Sequence, residues 1–259
     1  MYAFDFERPS TVDEAVAALA TEDAVALGGG QTLIPTLKQR LASPSKLVSL
    51  AGIDALRGIR NEGDTLVIGG GTTHATVASD GTIPALAALA AGIGDPAVRN
   101  RGTIGGSLAN NDPAACYPAA ALGLGATIVT NTREIAADDF FAGLFETVLD
   151  EGEIITSVRF PVPGAANYQK FEQPASRFAL VGVFVAKTGA GVRVAVTGAS
   201  EGGVFRWGEA EAALAQAFSA QALDGMAPPA DGMISDLHGS GAYRAHLVGV
   251  MARRAVAAC

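Results

Sequence analysis

Glycine-rich turns constrain this chain more than any other feature of its sequence. The chain has 259 residues, of which 32 are glycine. Many glycines fall in three runs, GGGQTL at 28–33, IGGGTTHA at 68–75 and GTIGGSLANND at 102–112. Residues without a Cβ disfavour helix and strand interiors and tolerate positive φ. The runs therefore predict loops whose backbone a ligand or another segment of the chain can approach closely.

Composition narrows the class of protein. Apolar residues make up 49% of the chain and charged residues 17%, which predicts a sizeable folded core. The net charge of −8 and the lack of any Lys/Arg run argue against nucleic-acid binding. No apolar stretch is long enough for a membrane span, and the acidic N-terminus does not resemble a signal peptide. The only cysteines, Cys116 and Cys259, form no motif, so we expect a reduced, cytoplasmic protein.

Helical and strand patterns alternate irregularly, which predicts an α+β fold rather than one doubly wound sheet. Thr11 and Glu14 have the spacing of a capping box at the start of a helix. A strand over 24–27 should enter the first glycine turn and be followed by a helix over about 33–41. The proline-rich stretch 161–166 predicts a domain boundary, and a lesser break falls within 52–63.

The glycine runs at 28–33 and 102–112 have the chemistry of anion sites. Consecutive amides in such turns can converge on one phosphate, and a following helix N-terminus adds to the attraction. Thr32, Thr103 and Ser107 could add hydroxyl donors. A single glycine-rich turn is more often only a turn, and neither run matches G-x-G-x-x-G. The two runs together favour a diphosphate site that is not of the Rossmann type.

Four segments carry a resemblance to a known family: GGGQTLIPTLKQRL, IGGGTTHA, IGDPAVRNRGTIGGSLANNDPAACYPAAALGLGA and GEIITSVRFP. Together they resemble the FAD-binding medium subunit of molybdenum hydroxylases, the group of xanthine dehydrogenase and carbon monoxide dehydrogenase. The resemblance continues through YQKFEQPASRFALVGVFVA and AYRAHLVGVMARRA, so it spans nearly the whole chain.

The resemblance implies a division of the chain into two domains. Residues 1–165 would form a two-lobed α+β FAD-binding domain of the PCMH type, which is vanillyl-alcohol-oxidase-like, with lobes at about 1–55 and 56–165. Residues 167–259 would form a small α+β C-terminal flavoprotein domain of three strands and helices. FAD would lie between the two lobes, with its diphosphate between the two glycine loops.

The resemblance also implies which residues bind the cofactor. A first cradle would consist of Gly28, Gly29, Gly30, Gln31, Thr32 and Leu33. A second would consist of Thr103, Ile104, Gly105, Gly106, Ser107, Asn110 and Asp112. The alternative for each loop is a turn with no ligand.

Three further positions are assigned to the site. Cys116 stands where the family often has an aspartate that approaches the adenosine ribose, and Asp112 could compensate; the alternative is a small buried residue. Lys170 matches a lysine near the flavin, where a cation would favour the reduced state; the alternative is an exposed strand lysine. Ile155 matches a position on the adenine side, or is a core strand residue.

No catalytic or metal site is predicted. His74, His238 and His246 lack the spacing of metal ligands, and no Ser–His–Asp set is recognisable. The chain also lacks cysteines for iron–sulfur clusters.

The resemblance therefore implies an oxidoreductase subunit that depends on partners. These would be a large molybdenum-cofactor subunit and a small 2Fe–2S subunit, assembled as a dimer of heterotrimers. Electrons would reach FAD from the clusters and pass to NAD, a quinone or oxygen. The alternatives are a stand-alone FAD oxidoreductase of a small molecule and an assembly module that has lost FAD.

Overall fold

The computed structural model describes all 259 residues. The strands are β1 (Asp5–Glu7), β2 (Ala24–Leu27), β3 (Lys46–Ser49), β4 (Ile59–Glu62), β5 (Thr65–Gly69), β6 (Thr127–Thr130), β7 (Glu134–Ala136), β8 (Phe141–Gly143), β9 (Glu146–Thr147), β10 (Ile155–Pro161), β11 (Ala165–Glu172), β12 (Ala179–Thr188), β13 (Gly191–Thr197) and β14 (Phe205–Arg206). The α-helices are α1 (Val12–Leu19), α2 (Leu33–Lys38), α3 (His74–Ala78), α4 (Pro84–Ala91), α5 (Pro96–Arg99), α6 (Ile104–Asn110), α7 (Tyr117–Leu124), α8 (Ala137–Phe140), α9 (Gly208–Gln216) and α10 (Gly241–Ala257). The predicted α+β class is confirmed.

The N-terminal part is a three-stranded parallel sheet of order β1-β3-β2. Thr11 caps α1 as predicted, because its side chain accepts a hydrogen bond from the Glu14 amide. The reciprocal half of the predicted capping box is wrong: the Glu14 carboxylate accepts from the Ser10 amide and hydroxyl, one residue earlier. Strand β2 has the predicted bounds and delivers the chain to the first glycine turn.

The middle part is a five-stranded antiparallel sheet of order β4-β5-β10-β6-β7. Val158 in the central strand β10 lies opposite Ile68 and Ile128, and all three are fully buried. Every residue of α7 is buried, which explains why this helix has no polar face. Helix α6, which follows the second glycine run, packs against the central strand β10 of this sheet.

The C-terminal part is a four-stranded sheet of order β11-β12-β13-β14, in which the two-residue β14 is one strand more than expected. Strand β12 is buried on both faces. Val181, Val183 and Val185 pack in a core with α9 and α10, whereas Phe184 and Ala186 pack in the core that contains α7. The sheet is therefore shared between the C-terminal core and the middle core, and the division at 165/167 stays a prediction.

No helix of the structure combines the length and the apolar character that crossing a membrane requires.

Candidate functional site

One large cleft of about 1130 Å³ dominates the surface. Its walls come from all three parts of the chain: the first glycine turn, the turn after β5, the second glycine run, the start of β10 and residues 170–178. Ligand pockets in proteins are typically about 300–1,000 Å³. The cleft is therefore large enough for an extended ligand of dinucleotide size.

The first glycine turn presents free donors to this cleft. No amide from Gly28 to Thr32 donates to a protein acceptor. Gly30 has φ +73°, a conformation that suits glycine and turns the chain into α2. Buried or half-buried amides almost always have a partner. Gly28, Gly29 and Gly30 are half-buried, whereas Gln31 and Thr32 are exposed. The three unpartnered glycine amides therefore indicate that this turn is shaped to receive an anion, and the two exposed amides extend the row of donors.

The second glycine run does not offer its amides, which corrects the expectation of two amide cradles. The Ile104 amide donates to Thr72 O and the Gly105 amide donates to Gly70 O, at 3.1 and 2.8 Å. The Gly106 and Ser107 amides both donate to oxygens of Thr103. These bonds hold α6 against the turn after β5. This run lines the cleft with the backbone amide of Thr103 and the side chains of Thr103, Ser107 and Asn110. The backbone of Gly105 and Gly106 completes its surface.

The two glycine loops lie in direct contact rather than apart. A Cβ added to Gly28 would lie 3.2 Å from Thr103 Oγ1, and one added to Gly29 would lie 2.6 Å from the Cα of Gly102. Such a contact between backbones is open only to glycine. The loops therefore form one continuous wall.

The turn after β5 is a third part of this wall and was missed as a site from the sequence. Gly70, Gly71, Thr72, Thr73 and His74 line the cleft. The run GGGTTH contains three consecutive glycines, and this was the available signal. Its carbonyls accept hydrogen bonds from the Ile104 and Gly105 amides, so its main role is to anchor the second run.

His74 is buried beside this turn, and its Nδ1 has no hydrogen-bond partner. Burial, aided by the nearby Arg99 guanidinium, lowers the pKa of His74 to about 4. Its ring lies 5.3 Å from that of Tyr117, whose hydroxyl is also buried without a partner. At neutral pH the side chain is therefore an uncharged imidazole packed behind the second loop.

Basic side chains outnumber acidic ones around the cleft, although the chain as a whole is acidic. Arg57, Arg101, Lys170 and Arg177 line it, against Asp112 and Glu153. A bidentate contact with Arg133, at 3.0 and 2.8 Å, neutralises Glu153 and lowers its pKa to about 2. The three arginines lie outside the glycine cores, so sequence patterns did not identify them, whereas Lys170 was assigned through the family resemblance. These cations favour a negatively charged ligand.

Lys170 and Cys116 lie side by side, with Nζ 4.0 Å from Sγ. The Lys170 side chain is only 5% exposed, so the alternative of an exposed strand lysine is wrong. Both residues line the cleft, and their assignments to the ribose and to the flavin stay predictions. Cys116 and Cys259 are both free thiols.

The cleft brings together nearly all of the predicted residues. Those that line it are Gly28, Gly29, Gly30, Gln31, Thr32, Leu33, Thr103, Gly105, Gly106, Ser107, Asn110, Asp112, Cys116, Ile155 and Lys170. Ile104 does not line it, because its side chain is wholly buried in the middle core. No group of three or more His, Cys, Asp or Glu side chains is arranged to hold a metal ion.

Comparison with known proteins identifies the family to which this chain belongs. Residues 2–163 match the model of the FAD binding domain in molybdopterin dehydrogenase. The carbon monoxide dehydrogenase medium chain of Afipia carboxidovorans is 36% identical, over 98% of this chain and 96% of that protein. The nicotine 6-hydroxylase medium subunit of Paenarthrobacter nicotinovorans is 34% identical over the same shares.

Solved structures agree with this assignment. Reconstituted CO dehydrogenase from Oligotropha carboxidovorans superposes with a TM-score of 0.90 at 34% identity, covering 99% of this chain and 97% of that one. Free amides, a dinucleotide-sized cleft and an excess of basic groups fit the cofactor of this family, FAD. The chain is thus an oxidoreductase component that belongs to the FAD-binding domain family of the molybdopterin dehydrogenases.

Proposed function

We propose that this chain is the FAD-binding electron-transfer subunit of a heterotrimeric molybdenum hydroxylase. The observation that carries the proposal is the row of five amides, from Gly28 to Thr32, that have no protein acceptor and belong to residues lining the cleft. Bound FAD would supply redox chemistry that combines one-electron and two-electron steps. Electrons would arrive from 2Fe–2S clusters of a small subunit and leave to NAD, a quinone or oxygen.

Each part of the cleft has a distinct task in this proposal. The amides of the first turn would hold the diphosphate, since they are the free donors of the wall. Thr103, Ser107 and Asn110 would add side-chain hydrogen bonds, and Asp112 would stand near them. Lys170 would lie near the flavin, and Ile155 on the adenine side. Ile104 would act from the core, by anchoring α6.

The partners we propose are a large molybdenum-cofactor subunit and a small 2Fe–2S subunit, in a dimer of heterotrimers located in the cytoplasm. Relatives named as medium chains or medium subunits support this assembly. The proposed domains are residues 1–165, with lobes at about 1–55 and 56–165, and residues 167–259. Truncation after residue 165 tests them: it removes Phe184 and Ala186 of β12 from the middle core, so the shortened chain should expose apolar surface where they pack.

Reconstitution with FAD tests the proposal directly. The chain should bind one FAD per protomer and quench its fluorescence, whereas FMN should bind far more weakly because it lacks the diphosphate. Reduction of the loaded chain by electrons from the large subunit should require the small 2Fe–2S subunit. A chain that takes up no FAD would refute the proposal, and turnover of a small molecule by the loaded chain alone would favour the stand-alone oxidoreductase.

A further inference from the structure

A buried thiol and a buried ammonium meet in the wall of the cleft. Cys116 Sγ lies 4.0 Å from Lys170 Nζ. Cys116 is 5% exposed and the Lys170 side chain is also 5% exposed. Both residues line the cleft, so a ligand there would share this sheltered environment.

The ammonium has little negative charge to balance it. Nζ donates to Gly92 O at 2.7 Å and to Arg177 O at 2.8 Å, both neutral carbonyls. Its only carboxylate neighbour is Glu172, at 3.5 Å, and that side chain is 48% exposed. Solvent screens such an exposed partner. A buried lysine usually has a close counter-charge, so Lys170 is under-compensated.

Cys116 occupies the position from which a counter-charge could act, but it remains neutral. Burial raises the pKa of its thiol, even though the Lys170 ammonium acts in the opposite direction. The neighbouring Tyr168 hydroxyl is also buried, and burial raises the pKa of that group too. At neutral pH this side of Lys170 is therefore packed by uncharged groups.

We infer that Cys116 is a positioning residue that keeps the positive charge of Lys170 available to the bound cofactor and thereby raises the reduction potential of the FAD. The inference rests on the proposed function, since it requires the flavin to lie at the Lys170 end of the cleft. Reduction adds negative charge to the flavin ring, and a nearby cation in a sheltered site favours that state. A carboxylate at position 116 would cancel the effect by pairing with Lys170.

Two variants of matched shape test the inference in the full chain loaded with FAD. Cys116→Asp introduces a charge, and Cys116→Asn introduces nearly the same shape without one. The equilibrium constant for two-electron reduction should be at least tenfold lower in Cys116→Asp than in Cys116→Asn. This corresponds to a midpoint potential about 30 mV lower, measured by equilibration with a reference dye. Equal potentials in the two variants would overturn the inference.

A second pair covers the case in which Cys116→Asp does not retain FAD. Lys170→Gln should then show a midpoint potential about 30 mV below that of Lys170→Arg, which keeps the charge. A potential in Lys170→Gln that equals or exceeds that of Lys170→Arg would overturn the inference. FAD uptake by the unsubstituted chain separates the two claims: its failure refutes the proposed function, whereas normal uptake with unshifted potentials refutes only the role of Cys116.

Discussion

Gly29→Ala tests the contact between the two glycine loops. The added Cβ would lie 2.6 Å from the Cα of Gly102 and against the carbonyl of Arg101. Neither neighbour is a flexible side chain, so the loops must separate to admit the methyl group. Because both loops line the cleft, the substitution should damage cofactor binding as well as stability.

The magnitude follows from two opposing effects. Overpacking against fixed atoms costs about 1–3 kcal/mol. Replacing glycine by alanine also restricts the unfolded chain, which returns about 0.4–1 kcal/mol. The free energy of unfolding should therefore fall by about 1–2 kcal/mol. If the displaced amides lose a similar amount of interaction with the diphosphate, the Kd for FAD should rise about tenfold.

Urea denaturation and titration of FAD fluorescence measure these two quantities. Gly81→Ala is the matched control, because Gly81 has no positive φ and nothing lies within 4 Å of its added Cβ. The control should match the unsubstituted chain in affinity and should be more stable by up to about 0.4–1 kcal/mol. If Gly29→Ala behaved like Gly81→Ala in both assays, the argument that these loops require a bare backbone would be refuted.

Three further substitutions probe two residues that line the cleft, Arg101 and Glu153, and one beside it, Asn111. Arg101→Gln removes a cleft cation that has no ion-pair partner, so the Kd for FAD should rise a few-fold and depend less on salt in titrations at two ionic strengths; an unchanged salt dependence would contradict this. Asn111→Ala removes hydrogen bonds from Nδ2 to Gly143 O and Glu146 O, so urea denaturation should show a loss of about 1–3 kcal/mol, and a smaller loss would exclude this anchoring role. Glu153→Gln should lower the free energy of unfolding at pH 7. The difference from the unsubstituted chain should shrink as pH falls from about 4.5 towards 2, because the lowered pKa of Glu153 contributes stability only while the group is ionised. A difference that is constant with pH would contradict this reasoning.

Sequence patterns predicted the elements that depend on local chemistry. Strand β2 was placed correctly because its short apolar run leads directly into a glycine turn. Helix α1 was placed correctly because Thr11 caps it. Helix α2 ends at Lys38 rather than near 41.

The parts that were missed depend on contacts between distant segments. Whether an amide in the second glycine run is free depends on the carbonyls of Gly70 and Thr72, more than thirty residues earlier in the chain. The pairing of Lys170 with Cys116 arises because the Lys170 side chain of β11 reaches the residue before α7, and no periodicity encodes that approach. Arg57, Arg101 and Arg177 were missed for the same reason, because they line one cleft but are scattered along the chain.

The hydrogen bonds from the second run to the turn after β5 make the two sides of the cleft unequal. The amides of residues 104–107 all have protein acceptors without a bound nucleotide, whereas the five amides of residues 28–32 have none. Amide hydrogen exchange in the empty protein should therefore be fast across 28–32 and slow across 104–107. Loading the cofactor should then slow exchange on the first segment alone, so that uptake and loss proceed by local ordering of a single turn.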